Sequence, residues 1–155
     1  MINIRKFKIE DAEKASIIIE DCFKKLDIQG HTDNGIKIQI EYNYPENLIK
    51  KSKEIKYYVA IDGNKLIGIC GYDKYKIYSL FVDINYHKKG IGDKLLTKVL
   101  LEAKHDGLKN IITWSTIYAE DFYKSFGFEK IKKISIPEET KDIILIEMKK
   151  DLMKK

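Results

Sequence analysis

Ser79-Leu80-Phe81-Val82-Asp83-Ile84-Asn85-Tyr86-His87-Lys88-Lys89-Gly90-Ile91-Gly92-Asp93-Lys94-Leu95-Leu96 reads as an apolar strand, a polar turn rich in lysine and glycine, and the start of an amphipathic helix. Gly90 and Gly92 let the chain turn tightly and leave the backbone amides uncovered. The first turn of the helix carries N–H groups without helical partners, at the positive end of the helix dipole. Strand, turn and helix start together make a place for a phosphate or pyrophosphate. A glycine pair after a strand is often no more than a tight turn, so the rest of the chain must decide.

Working outward, Leu95, Leu96, Val99, Leu100 and Ala103 form a helical stripe, with Gly107 placed to end it. Asn110–Ser115 is a short strand. A helix crosses between it and the strand ending at Val82, which predicts a parallel pair. Upstream, Tyr57–Ile61 and Leu66–Tyr72 flank the hairpin turn Asp62-Gly63-Asn64-Lys65, and Ile77–Val82 follows in antiparallel succession. Ile2–Phe7 reads as a first strand. Glu10-Asp11 opens a helix whose inner face is Ala12, Ala15, Ile18, Ile19, Cys22, Phe23 and Leu26. Downstream, Ala119–Ser125 is a short helix closed by Gly127. Phe128–Ile136 and Ile143–Met148 are strands joined by a turn containing Pro137-Glu138-Glu139. Residues 28–56 are ambiguous: His31–Gly35 looks like a loop, and Pro45–Lys51 looks like a short helix with proline in its first turn. Ile36, Ile38 and Ile40 alternate as in a strand, whereas Ile36, Ile40 and Tyr44 also share a helical face. The expected fold class is α/β (α+β): a mixed sheet of roughly six or seven strands with helices on both faces.

The chain has 155 residues, 44% of them hydrophobic and 34% charged, enough to bury a core. Neither a signal peptide nor a bilayer-spanning run is evident, and a cytoplasmic protein without membrane partners is expected. Cys22 and Cys70 lie in different elements without metal-like spacing, which favours reduced, buried thiols and no metal. The net charge of +5 comes from scattered lysines rather than a basic face with interleaved aromatics, so no nucleic-acid partner is expected. A P-loop is excluded, because no Gly-Lys-Ser/Thr follows the glycines.

Two motifs bear on function. One is His87-Lys88-Lys89-Gly90-Ile91-Gly92; the other is Ala119, Tyr123 and Gly127-Phe128 at fixed spacing. Together, with the order of elements from Ile2 to about Met148, they resemble the GNAT superfamily of N-acetyltransferases. The family's loop has Gln or Arg where this chain has His87, and its customary proline is Ile84. The resemblance implies an acetyltransferase-like domain over residues 1–150, with 151–155 as a frayed tail. It implies a mostly antiparallel sheet with one splayed parallel pair, and acetyl-CoA as cosubstrate in that splay. Pantetheine contacts then fall on Leu80, Phe81 and Val82. Pyrophosphate contacts fall on the amides of Lys88, Lys89, Gly90, Ile91, Gly92 and Asp93. Thr116 stands where the family often has a cofactor-binding Asn.

The implied reaction is direct attack by a primary amine of a small molecule or peptide on the thioester in a ternary complex. Backbone amides near Phe81 or Val82 would stabilise the oxyanion. Tyr123 matches the general acid that protonates the departing thiolate, and a phenol near pKa 10 suits that task. Asp83, Ser79 through water, His31, Glu41 and Tyr78 are candidate bases, none singled out. Trp114 reads as core. His31, Tyr42 and Tyr44 could shape an acceptor pocket, whose aromatic and acidic groups would suit a cationic amine. The alternative is a non-catalytic acyl-CoA-binding regulatory domain, and a homodimer is left open.

Overall fold

The computed structural model describes residues 1–153. Its elements are β1 (Ile2–Lys6), α1 (Ala12–Lys25), α2 (Asp33–Tyr42), α3 (Pro45–Lys51), β2 (Lys56–Asp62), β3 (Lys65–Tyr72), β4 (Lys76–Val82), α4 (Ile91–His105), β5 (Asn110–Thr116), α5 (Glu120–Ser125), β6 (Glu129–Ile136) and β7 (Ile143–Asp151). The strands form a seven-stranded sheet in the order β1-β2-β3-β4-β5-β7-β6. Its pairs are antiparallel except β4 with β5. The expected fold class is met.

Alternating side chains divide the apolar residues between two layers. Ile77, Leu95, Leu96, Val99, Ile111 and Met148 pack on the face covered by α4 and α5. Ile18, Ile19, Phe23, Leu48, Val59 and Ile69 pack on the face covered by α1, α2 and α3. Cys22 and Cys70 are buried free thiols.

The middle of the sheet opens. β4 and β5 pair only at Lys76↔Ile112 and Ile77↔Thr113, and then diverge. On its other edge β4 is irregular: Tyr78 pairs with Gly71 and Phe81 with Ile69, leaving Ser79 and Leu80 without register partners. Ser79 takes φ +54°, unusual for a residue with a side chain. Bulge and divergence fall at the same level of β4, and both re-aim its backbone.

Residues 28–55 contain no strand. Ile36, Ile38 and Ile40 lie in α2, which begins inside the expected His31–Gly35 loop because the Thr32 side chain accepts from the Gly35 N–H at 3.0 Å. The tail expected to fray from 151 is also corrected. β7 runs through Asp151, and Leu152 is buried with its N–H donating to the Lys109 carbonyl at 2.9 Å. The last two residues lie outside the described ones.

Candidate active site

A cavity of about 760 Å³ lies at the divergence of β4 and β5. Leu80, Val82, Ile91, Thr113, Phe122 and Tyr123 line it from the α4 side, and Cys22, Phe23, Tyr42, Asn43, Tyr78 and Trp114 line it from the α1–α3 side. Side chains from both faces of one sheet can share a cavity only where the sheet is open. The gap between the two strands therefore connects the two sides.

The α4 end exposes backbone amides to the cavity. Gly90 precedes the helix at φ +79°, and a Cβ there would meet nothing within 4 Å. The Lys94 N–H donates back to the Gly90 carbonyl at 3.1 Å, so the amides at 91–93 come before the first helical bond. Lys88, Gly90, Ile91, Gly92 and Asp93 line the cavity. Lys89 does not: it is exposed, with its ammonium 5.2 Å from the Tyr86 ring centroid. His87 turns inward, its Nε2 2.8 Å from the Val82 carbonyl, which also accepts from Cys22 Sγ at 3.3 Å. That carbonyl is thus already engaged within the chain. The Thr116 hydroxyl accepts from the Ala119 N–H at 3.2 Å, capping the turn before α5, and keeps its own proton free to donate.

Tyr123 is 5% exposed and reaches the cavity from α5. Burial raises its pKa and Cys70 adds to this, while the Thr113 hydroxyl acts the other way. The phenol accordingly keeps its proton across the ordinary pH range.

The opposite end is more cationic than expected. Lys76 lines the cavity with its ammonium 3.6 Å from the Trp114 ring centroid and 4.6 Å from that of Tyr78. Lys51 stands behind Tyr42, 3.5 Å from its ring centroid, and donates to Asn43 Oδ1 at 3.3 Å. The same oxygen accepts from Ser79 Oγ at 3.1 Å. Asn43 is 3% exposed and donates through Nδ2 to the Gln39 carbonyl at 2.9 Å. Burial, with Lys76 nearby, lowers the Lys51 pKa to about 8. Trp114, read as core, is instead 38% exposed on the cavity wall.

Of the candidate bases, Tyr78 and Ser79 line the cavity and the others do not. Asp83 faces Lys65 at 3.7 Å and caps the Asn85 N–H. His31 packs against Phe23 and Gln39, and burial lowers its pKa. Tyr44 and Glu41 are exposed.

The family described as Acetyltransferase (GNAT) domain matches residues 28–152. The chain belongs to the GNAT acetyltransferase family. An uncharacterised N-acetyltransferase of Methanocaldococcus jannaschii is 33% identical over 76 residues, covering 47% of this chain; the match spans about a third (34%) of that relative. Three solved GNAT-like structures show the same fold. One is a GCN5-related N-acetyltransferase of Rhodopseudomonas palustris, with TM-score 0.87, 14% identity, and 96% of this chain and 94% of that one covered. The second is PaiA N-acetyltransferase of Thermoplasma acidophilum in complex with coenzyme A, with TM-score 0.81, 22% identity, and 97% and 99% covered. The third is yncA of Salmonella typhimurium with its cofactor acetyl-CoA, with TM-score 0.71, 15% identity, and 100% and 96% covered.

In this GNAT chain, sequence reasoning missed Asn43 and Lys76 at the cavity and Lys51 behind them. A lysine in a sequence reads as a solvated side chain, and only packing reveals the aromatic rings beneath it. Asn43 carried the one available signal, a polar residue at the end of an apolar helical face.

Proposed function

We propose that the chain transfers an acetyl group from acetyl-CoA to a primary amine, by direct attack within a ternary complex. The observation that carries this reading is the cavity through the open sheet, with an anion-binding helix start at one end and a separate polar wall at the other. Bound acetyl-CoA supplies an activated acyl thioester. The residues present fit it: uncovered amides for a pyrophosphate, then an apolar channel past Leu80, Val82 and Phe122 for an extended arm.

The amides of Lys88 and of Gly90 to Asp93 hold the pyrophosphate, and the Thr116 hydroxyl faces the same cavity. The open edge of β4 from Leu80 to Val82 orients the arm and turns N–H groups toward the charge that develops on the thioester oxygen. The amine approaches from the Tyr42–Trp114 side. As the C–N bond forms and the C–S bond breaks, Tyr123 gives its proton to the sulfur and regains one from solvent. The surplus proton of the amine leaves to water.

An amine panel with acetyl-CoA and thiol detection tests this reading, beside calorimetric binding of CoA. Tyr123→Phe is expected to lower turnover about a hundredfold, in the range typical of general-acid catalysis. CoA affinity should stay within about twofold, since one hydroxyl is lost from a large contact surface. Unchanged turnover in Tyr123→Phe removes the acid role, and absence of CoA binding overturns the whole reading.

A further inference from the structure

One ammonium group, that of Lys76, lines the acceptor side of the cavity, and a second, that of Lys51, stands behind Tyr42. Lys76 lies across Trp114 and Tyr78, and Lys51 across Tyr42. Among the described residues neither makes an ion pair within 4.0 Å. The two carboxylates whose charge reaches Lys76, Asp73 and Glu147, offset it only from beyond ion-pair distance, and their hydrogen bonds go to neutral donors. Asp73 accepts from the N–H groups of Tyr75 and Lys76 at 2.8 and 2.9 Å and from the Tyr78 hydroxyl at 2.9 Å. Glu147 accepts from Trp114 Nε1 at 3.0 Å.

The carboxylate that does line the cavity, Asp93, sits at the start of α4 on the opposite side of the sheet. Aromatic faces attract the cations but carry no net charge with which to balance them. Two partly buried like charges raise each other's energy, and a group that brings negative charge between them relieves it. Burial lowers the pKa of both lysines and Lys76 lowers that of Lys51 further, while Asp73 and Glu147 act the other way at Lys76. A polycationic amine would add to the repulsion.

The wall is also placed where it can act. Asn43 joins the Lys51 ammonium to the Ser79 hydroxyl through one oxygen, at 3.3 and 3.1 Å. Lys76 stands one residue before the last paired position, Ile77, after which the strands part. An anion held there leaves the rest of a small molecule facing the opening.

We propose that the acceptor is a small amine that also bears a carboxylate or phosphate, and that Lys76, backed by Lys51, recognises this anion. The proposal rests on the acetyl-transfer reading, and binding separates the two. Phenylalanine and phenylalaninamide, and phosphoethanolamine and ethanolamine, are matched pairs differing in the anion, with spermidine as the polycation. Calorimetric titration into CoA-saturated protein is expected to find the anionic member of at least one pair bound about tenfold more tightly than its partner, as for one charge-assisted hydrogen bond. The phenylalanine pair reports a carboxylate and the phosphoethanolamine pair a phosphate.

Lys76→Met, which retains the aliphatic stem over Trp114, should abolish that preference while CoA affinity is retained. Lys51→Gln should reduce it. Equal or undetectable binding of both anionic members, tighter binding of spermidine, or an intact preference in Lys76→Met overturns the proposal. Absence of acetyl transfer to every amine counts instead against the reaction, whatever the binding preference.

Discussion

Tyr57 shows how a single atom can work against the fold around it. The side chain is 3% exposed, and its hydroxyl is the buried side-chain polar atom left without a hydrogen-bond partner among the described residues. Burying such a group unpaired is unfavourable by about 1–3 kcal/mol. Tyr57→Phe removes only that oxygen, so it should stabilise the protein by about 1 kcal/mol in urea unfolding. A loss of stability would mean that the hydroxyl has a partner, for which neighbouring Ser79 is the candidate. At this scale the sequence was legible where spacing constrains chemistry and silent where packing does. Tyr123 stood out because Ala119 and Gly127-Phe128 flank it at fixed intervals. Lys51, Lys76 and Trp114 belong to no local pattern, and their meeting depends on α3, β4 and β5 converging.

Among the elements, the N-terminus of α2 is tied to one carboxylate in the β6–β7 connection. Asp142 accepts from Thr32 Oγ1 at 2.6 Å, Asn34 Nδ2 at 3.3 Å and Thr140 Oγ1 at 2.6 Å, and its backbone carbonyl accepts from the Thr32 N–H at 2.9 Å. The hydroxyls of Thr140 and Thr32 hold its pKa below the usual carboxylate value. A depressed folded pKa means that the contribution is complete above the unfolded value, about 3.9, and fades as pH falls through the folded one. Amide exchange at Thr32–Ile36, corrected for intrinsic rates, should therefore accelerate below that pH, and Asp142→Asn should flatten the dependence. Protection that stays constant through acid would show that the carboxylate charge does not hold the junction. This contact also explains why the region was unreadable. Ile36, Ile38 and Ile40 suit either periodicity, and the choice falls to the Thr32 cap and a residue 110 positions away. The bulge at Ser79 was hidden for a related reason, since no glycine marks its positive φ.

Over the whole molecule, strand order and two-sided helix coverage followed from the sequence because hairpin turns and apolar stripes are local signals. The parallel β4–β5 pair followed from the helix between them. How early those strands part did not follow, since divergence is a property of the assembled sheet. That divergence has a kinetic corollary. Under the proposed assignment, the amides before α4 and the lysine wall lie on opposite faces, so each substrate has its own doorway and neither need leave before the other enters. Initial-rate patterns should intersect, and product CoA should compete with acetyl-CoA while acting noncompetitively toward the amine. Parallel patterns would contradict direct transfer. Under that assignment the open seam in the sheet would work as a counter served from both sides, with the acyl group the one thing that crosses it.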